Sequence, residues 1–488
     1  MGEGLVPLLI NRLRRGGRTA AVTFALAAAA LSGTTLSGTA MAEPARIPTD
    51  QGAIVERLQK AALAGSGAFE IVESITVEVG PRLVGTPADK AMVDWSVNRL
   101  KGMGFDKVWT EPVEVDGWIR GEERAAVTAP WPQPLVITAL GGTVPTQAGG
   151  IEAEIAYFDH YDDLLAAAPG SLTGKIAFVN QPTIVTQDGS GYGHAVRMRG
   201  SGAVEAAKRG AVGLLIRSVG THAHRMPHTG LMQYQEGVAK IPAAALSVAD
   251  AEQLTRLVRR GQSVRVSLAL TPTAPGKVVS HNVIAELTGA QAPEEIVLLG
   301  AHHDSWDLGT GALDDGAGIG IVLSAARLIK DLPERPRRTI RIVLFAAEEV
   351  GLVGARAYAA RHKDSLESHI IGTEADFGAG PVYAFATRIH PDTKPAADVI
   401  QRHLAPLGII PNRELASGGP DMIPLRQAGM PVVDLLKDGY DYFAVHHTAN
   451  DTLDQVDPRK LDQSVAAYAT FTWLVAQGTG SFRPIPQE

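Results

Sequence analysis

The chain has 488 residues, more than one hydrophobic core organises, and its 45% hydrophobic and 20% charged content is that of a globular protein. A net charge of −7 without basic clusters excludes a nucleic-acid binder held by phosphate contacts. With no cysteines there are no disulfides and no thiolate ligands, so any metal must be held by His and carboxylates.

Residues 1–42 read as an export signal. Arg12, Arg14, Arg15 and Arg18 open it, an apolar run follows from Ala20 to Leu31, and Ala40-Met41-Ala42 gives a small-x-small cleavage pattern. The run is too short to span a bilayer comfortably, so the expectation is a periplasmic or secreted protein without membrane contact after cleavage. Losing four Arg and one Glu would move the net charge from −7 to −10.

Gln51 to Glu78 has apolar residues at helical spacing, and Gly80-Pro81-Arg82 interrupts it. Ala91 to Met103 resumes it, with Met92, Val93, Trp95, Leu100 and Met103 for a buried face. From Thr128 to Pro275 the texture changes to short apolar strands (Ile155–Phe158, Ile176–Val179, Val212–Ile216) and one helix, Val204–Arg209. This predicts a domain over 128–275, inserted between an N-terminal part (43–127) and a C-terminal catalytic part (276–488) of one body. After Asn282 strands at Ile296–Leu299, Ile340–Phe345, Ile370–Gly372 and Val432–Leu435 alternate with helices at Gly318–Ile329, Leu352–Arg361, Ala396–Leu407 and Pro458–Val475. The rhythm predicts an α/β sandwich with a largely parallel sheet, whose chemistry belongs just after the carboxyl ends of strands.

Residues able to do chemistry fall there. His302-His303-Asp304 follows one strand, Asp314-Asp315 sits in a Gly-rich loop before a helix, and Glu348-Glu349 closes another strand. Asp376 and His447 follow two more. Taken singly each has an ordinary explanation: Asp315 is a natural helix cap, paired Glu are usually solvated, and His pairs are often surface groups. Their joint recurrence at successive strand ends points to metal chemistry. Gly316-Ala317-Gly318-Ile319-Gly320 lacks the GxGxxG spacing of a nucleotide site and reads as close helix packing.

The segment GAHHDSWDLGTGALDDGAG (300–318), with FAAEEVG (345–351), Glu374-Ala375-Asp376 and HTANDT (447–452), resembles the co-catalytic zinc exopeptidases, which include bacterial secreted leucine aminopeptidases. GPRLVG (80–85), Trp118 to Glu122, the HDSWD run and Pro227-His228-Thr229-Gly230 are similar to the carboxypeptidase Q branch of that family. The resemblance implies an α/β/α sandwich carrying an inserted protease-associated domain, and two zinc ions per chain. Asp314 would bridge them, His302 and Asp376 completing one site, Glu349 and His447 the other. Glu348 would be the general base, and Asp304 would accept a hydrogen bond from the second ring nitrogen of His302.

Adjacent Glu348 and Glu349 must leave strand geometry to serve one centre, since neighbours in a strand face opposite ways. The family also implies a cis peptide beside Asp314. His228 and His446 are candidate substrate-binding residues; His446 either assists the oxyanion or packs, while His222, His224 and His228 read as a loop near the cleft. The expected activity is hydrolysis of dipeptides or of terminal residues of short peptides, through a zinc-bound hydroxide, by an exported enzyme for which the resemblance also suggests a homodimer. The alternatives are an N-terminal aminopeptidase proper and a non-catalytic receptor-like protein on the same fold.

Overall fold

The computed structural model describes residues 43–486, so the expected export signal lies outside the described residues. Apolar strands of period two form a mixed eight-stranded sheet. Its order is Lys107–Ile119, Thr273–Leu287, Arg338–Phe345, Ala292–His302, His369–Glu374, Val432–Lys437, Val382–Arg388, Ile410–Pro411. The four central strands run parallel, and antiparallel pairs flank them on both sides.

Alternation within these strands sorts residues to two faces. Val297, Leu299, Ile340, Ile342 and Leu344 join one core with helices Ala68–Glu78, Ala317–Lys330 and Pro458–Gln477. Leu298, Val343 and Phe345 join the opposite core with Val353–Arg361 and Ile423–Gln427. Helices on both faces give the α/β/α layering. Helix Ala317–Lys330 lies so close that a Cβ on Gly318 would sit 1.9 Å from the Ala375 carbonyl oxygen. The glycines of that run therefore serve close packing.

A second eight-stranded sheet draws its strands from residues 123–270, in the order Gln133–Leu135, Glu123–Ala129, Arg265–Leu270, Ile151–Phe158, Ile176–Val179, Gly213–Arg217, Ala243–Leu246, Ile137–Ala139. The chain enters and leaves it through Lys107–Ile119 and Thr273–Leu287, which pair antiparallel with each other in the first sheet. Arg120, just past the first of these, binds Asp307 through two nitrogens at 2.8 Å and also reaches Glu123, Thr138 and Thr229. Among the described residues no helix is long and apolar enough to cross a membrane.

Candidate metal centre

His302 is the last residue of its strand and is fully buried. Its Nδ1 lies 3.1 Å from the Asp304 carbonyl oxygen; a carbonyl only accepts, so Nδ1 carries the proton. Nε2 is turned to the carboxylates, 3.0 Å from Asp314 Oδ1 and 3.7 Å from Asp376 Oδ1. Here the structure differs from the sequence reading. The Asp304 carboxylate stands 3.6 Å from the ring and instead accepts the N–H groups of Glu348, at 3.1 Å, and Glu349, at 3.3 Å. The main chain of Asp304 orients His302 while its side chain holds the Glu pair.

The Glu pair needs that support. Strand Arg338–Phe345 ends three residues before Glu348, and Ala347 turns into the left-handed region at φ 59°. Such a conformation costs about 1–3 kcal/mol for a residue with a Cβ and persists only where surrounding contacts impose it. It turns the chain out of strand geometry, so both Glu side chains line one cleft.

Asp314 sits in the turn Ala312–Gly316 with non-helical backbone angles, and its peptide bond to Asp315 is cis. Two residues absent from the sequence-derived site fix this turn. The Asp451 carboxylate accepts the N–H groups of Leu313 and Asp314 at 2.6 and 3.2 Å. Buried Arg82 donates its three nitrogens to the carbonyls of His303, Thr310 and Gly311 at 2.7, 2.8 and 2.9 Å. Asp315 takes the N–H groups of His302 and Gly318, tying the turn to the strand and to the following helix.

Asp376 lies two residues past strand His369–Glu374 and is half-buried. His447 follows the short helix Tyr442–Val445, with φ 59°. Its Nδ1 donates to the Thr229 carbonyl at 3.3 Å, and its own carbonyl accepts the Thr229 N–H at 3.0 Å. Nε2 is thereby aimed at Asp314 Oδ2, 3.1 Å, and Glu349 Oε2, 3.0 Å.

Two triads result, His302–Asp314–Asp376 and Asp314–Glu349–His447, each with its donor atoms within 4.8 Å of one another. Asp314 belongs to both. Buried Glu349 Oε1 has no hydrogen-bond partner, and Asp314 Oδ2 is faced by the His446 and His447 rings at ion-pair distance without regular hydrogen-bond geometry, so the donors converge on shared space. Imidazole and carboxylate at this spacing fit zinc, with three protein ligands per ion and room for water or substrate.

The electrostatics divides the carboxylates. Burial pushes Glu348 well above the usual carboxylate range, and repulsion from Asp376, Glu349 and Asp304 adds to it against the pull of His302. Burial also raises Glu349, to about 7. Burial would raise Asp314 too, but His446, His302 and His447 hold it well below the usual range. Burial and charge thus separate a carboxyl that holds its proton more tightly, Glu348, from a carboxylate kept ionised, Asp314.

His228 and His446 lie together, His228 Nε2 being 2.8 Å from His446 Nδ1 and His446 Nε2 3.2 Å from Asp314 Oδ2. The His228 ring stacks on His447 with centroids 4.7 Å apart. His222 and His224 are exposed and stack on each other at 3.5 Å, apart from this group. Asp421, which sequence reasoning passed over, is fully buried with both carboxylate oxygens unpartnered, and burial, then repulsion from Glu348, pushes it well above the usual carboxylate range. The cleft beside the two triads measures about 430 Å³, with Tyr192, Arg199, Phe377, Tyr442 and Phe443 on its walls.

Residues 282–472 match peptidase family M28. The chain is 37% identical to human carboxypeptidase Q over 414 residues, 85% of this chain and 86% of that one. It is 49% identical to a peptidase M28 precursor from Shewanella amazonensis SB2B, whose crystal structure superposes with a TM-score of 0.89 and covers 90% of this chain and all of that one (100%). A zinc aminopeptidase from Bacillus subtilis, 20% identical, shares the fold at a TM-score of 0.59 over 83% of this chain and 93% of that one.

Proposed function

This chain belongs to peptidase family M28, and on that premise we propose that it is an exported two-zinc exopeptidase acting on dipeptides or on the terminal residues of short peptides. The observation that carries the reading is the pair of triads sharing Asp314, with the raised carboxyl of Glu348 beside them.

His302 and Asp376 would hold one zinc, Glu349 and His447 the other, and Asp314 would bridge them. Bound zinc would supply Lewis-acid polarisation of the scissile carbonyl and a water acidified toward neutral pH. The protein's own part is positioning and proton transfer. Glu348, made basic by burial and neighbouring carboxylates, takes a proton from the attacking water and delivers it to the leaving amine. The Asp304 carboxylate keeps Glu348 and Glu349 in place through their N–H groups. His302 and His447 each spend Nδ1–H on a carbonyl, so both present Nε2.

A cleft of about 430 Å³ suits a ligand of a few residues better than an extended chain. Residues 123–270, which form the second sheet, place Thr229 and His228 directly against His447 and so close one wall. The test is a hydrolysis panel of dipeptides, tripeptides and longer peptides, each also blocked at one end. Cleavage concentrated on unblocked short peptides, abolished by chelator and restored by zinc, is the expected result. Internal cleavage of long peptides, or turnover untouched by metal removal, would overturn it.

A further inference from the structure

Arg199 is buried, with 8% of its surface exposed, yet it lines the open cleft beside the triads. Its Nη1 donates to Tyr192 Oη at 2.8 Å and the Thr229 carbonyl at 3.3 Å, and its Nε to the Leu231 carbonyl at 3.3 Å. None of these partners is a carboxylate, and Nη2 takes part in none of these hydrogen bonds. Arg82 makes the contrast: it is fully buried, its three nitrogens are each spent on a carbonyl, and it is not among the residues of the cleft wall. A buried guanidinium on a cleft wall with one nitrogen left uncommitted is suited to an anion, because a buried charge without a charged partner is otherwise costly.

The main chain is shaped around it. At Gly230, φ +133°, a Cβ would fall 2.3 Å from Nη1 and 2.4 Å from Cζ of Arg199, so any other residue would displace the guanidinium. The cleft it serves is acidic: Asp314, Glu348, Glu349 and Asp376 all line it, and among the described residues Arg199 is its one arginine or lysine. Beside the metal sites, Arg199 is the group on this wall fitted to receive an anionic substrate group. Nη1 stands 3.5 Å from Nδ1 of the His447 ring, whose opposite nitrogen faces Asp314. Arg199 and the metal donors are thus separated by one imidazole ring, a gap on the scale of the residue, about 3.3–3.6 Å long, that lies between a scissile bond and a C-terminal carboxylate.

We propose that Arg199 anchors the substrate's C-terminal α-carboxylate, making the enzyme selective for peptides that end one residue past the bond it cleaves. The proposal rests on the exopeptidase reading above and names the end of the peptide that it recognises. A planar guanidinium pairs with a carboxylate through two parallel hydrogen bonds, which a C-terminal amide cannot reproduce.

The test compares Leu-Ala with its C-terminal amide on the full-length zinc-loaded enzyme, wild type beside Arg199→Met and Arg199→Lys. The wild type should prefer the free acid in kcat/KM by about 10- to 100-fold, the worth of a charge-assisted pair. That ratio should collapse toward one in Arg199→Met and recover in part in Arg199→Lys, with zinc content retained. A wild type indifferent to the amide, or an Arg199→Met enzyme that keeps the ratio while both rates fall together, would overturn the anchor and leave Arg199 a structural residue. A wild type indifferent to the amide overturns the anchor on its own, and where Arg199→Met fails to fold, Arg199→Lys carries the comparison. Hydrolysis of neither substrate would count against the exopeptidase reading instead; calorimetric binding of Leu-Ala and its amide to the wild type then decides, equal affinities overturning the anchor.

Discussion

The rim of the first sheet and the segments carried with the second meet at one cleft, yet they bring different chemistry to it. The first contributes His302, Asp314, Glu348, Glu349, Asp376 and His447, residue types with intrinsic affinity for metal or protons. The second contributes Tyr192, Arg199, His228 and Thr229, which act through where they are placed. Reactivity is therefore built into loops that follow parallel strands, whereas selectivity is lent from outside by groups that touch those loops. The regions are joined at single atoms: the Thr229 carbonyl accepts from both His447 and Arg199.

That contrast can be broken by changing each side separately. The largest effect belongs to the first region. Glu348→Gln should lower kcat by about 10²–10⁴-fold, the usual worth of a general acid–base, with bound zinc unchanged. Loss of metal along with activity would make Glu348 a structural or ligand residue instead. Gly230→Ala, in the second region, should act on selectivity: the added methyl displaces Arg199 and should cut the preference for a free C-terminal carboxylate about tenfold. Steady-state kinetics on the acid and amide substrates measure this, and an unchanged ratio would separate Gly230 from Arg199.

The smallest effect lies outside both regions and calibrates the rest. His369 is fully buried, donating Nδ1–H toward the Ser365 carbonyl at 3.3 Å and accepting from Tyr358 Oη at 2.8 Å. Burial, with Arg341 nearby, depresses it from 6.5 to about 3. The unfolded chain therefore binds a proton that the folded one refuses. Stability is full above pH 6.5 and falls as pH drops toward 3, by on the order of 1 kcal/mol at pH 5.5. Thermal melts should show this limb, and His369→Gln should flatten it; an identical pH dependence in the variant would assign acid sensitivity elsewhere.

The first region was legible in sequence because its signals are local. Each candidate ligand follows an apolar strand or precedes a helix, and the helix Val353–Arg361 lies within a residue of where periodicity puts it. The role of Asp304 was not legible, since whether a carboxylate or its own carbonyl faces a ring depends on the turn. The long strands Lys107–Ile119 and Thr273–Leu287 were missed because much of each is exposed and interrupted by Pro and Gly. Helix Ser190–Lys208 was read only over its last turns. Gly191, Gly193, Gly200 and Gly202 weaken its helical propensity, and at two of them the glycine is needed by a contact distant in sequence. A Cβ on Gly191 would meet the Ile184 carbonyl oxygen at 2.0 Å, and one on Gly202 would meet Leu214 at 2.9 Å. Arg199 sits in that unread stretch, so the residue proposed to select substrate was hidden by the packing that positions it.

The central claim is that Asp314 serves two metal sites at once. Zinc content per chain, measured on purified wild type and on Asp376→Ala, tests it most directly. The expected result is two zinc ions in the wild type and one in Asp376→Ala, whose triad with Glu349 and His447 stays intact. One zinc per chain in the fully loaded wild type would contradict the shared-carboxylate centre.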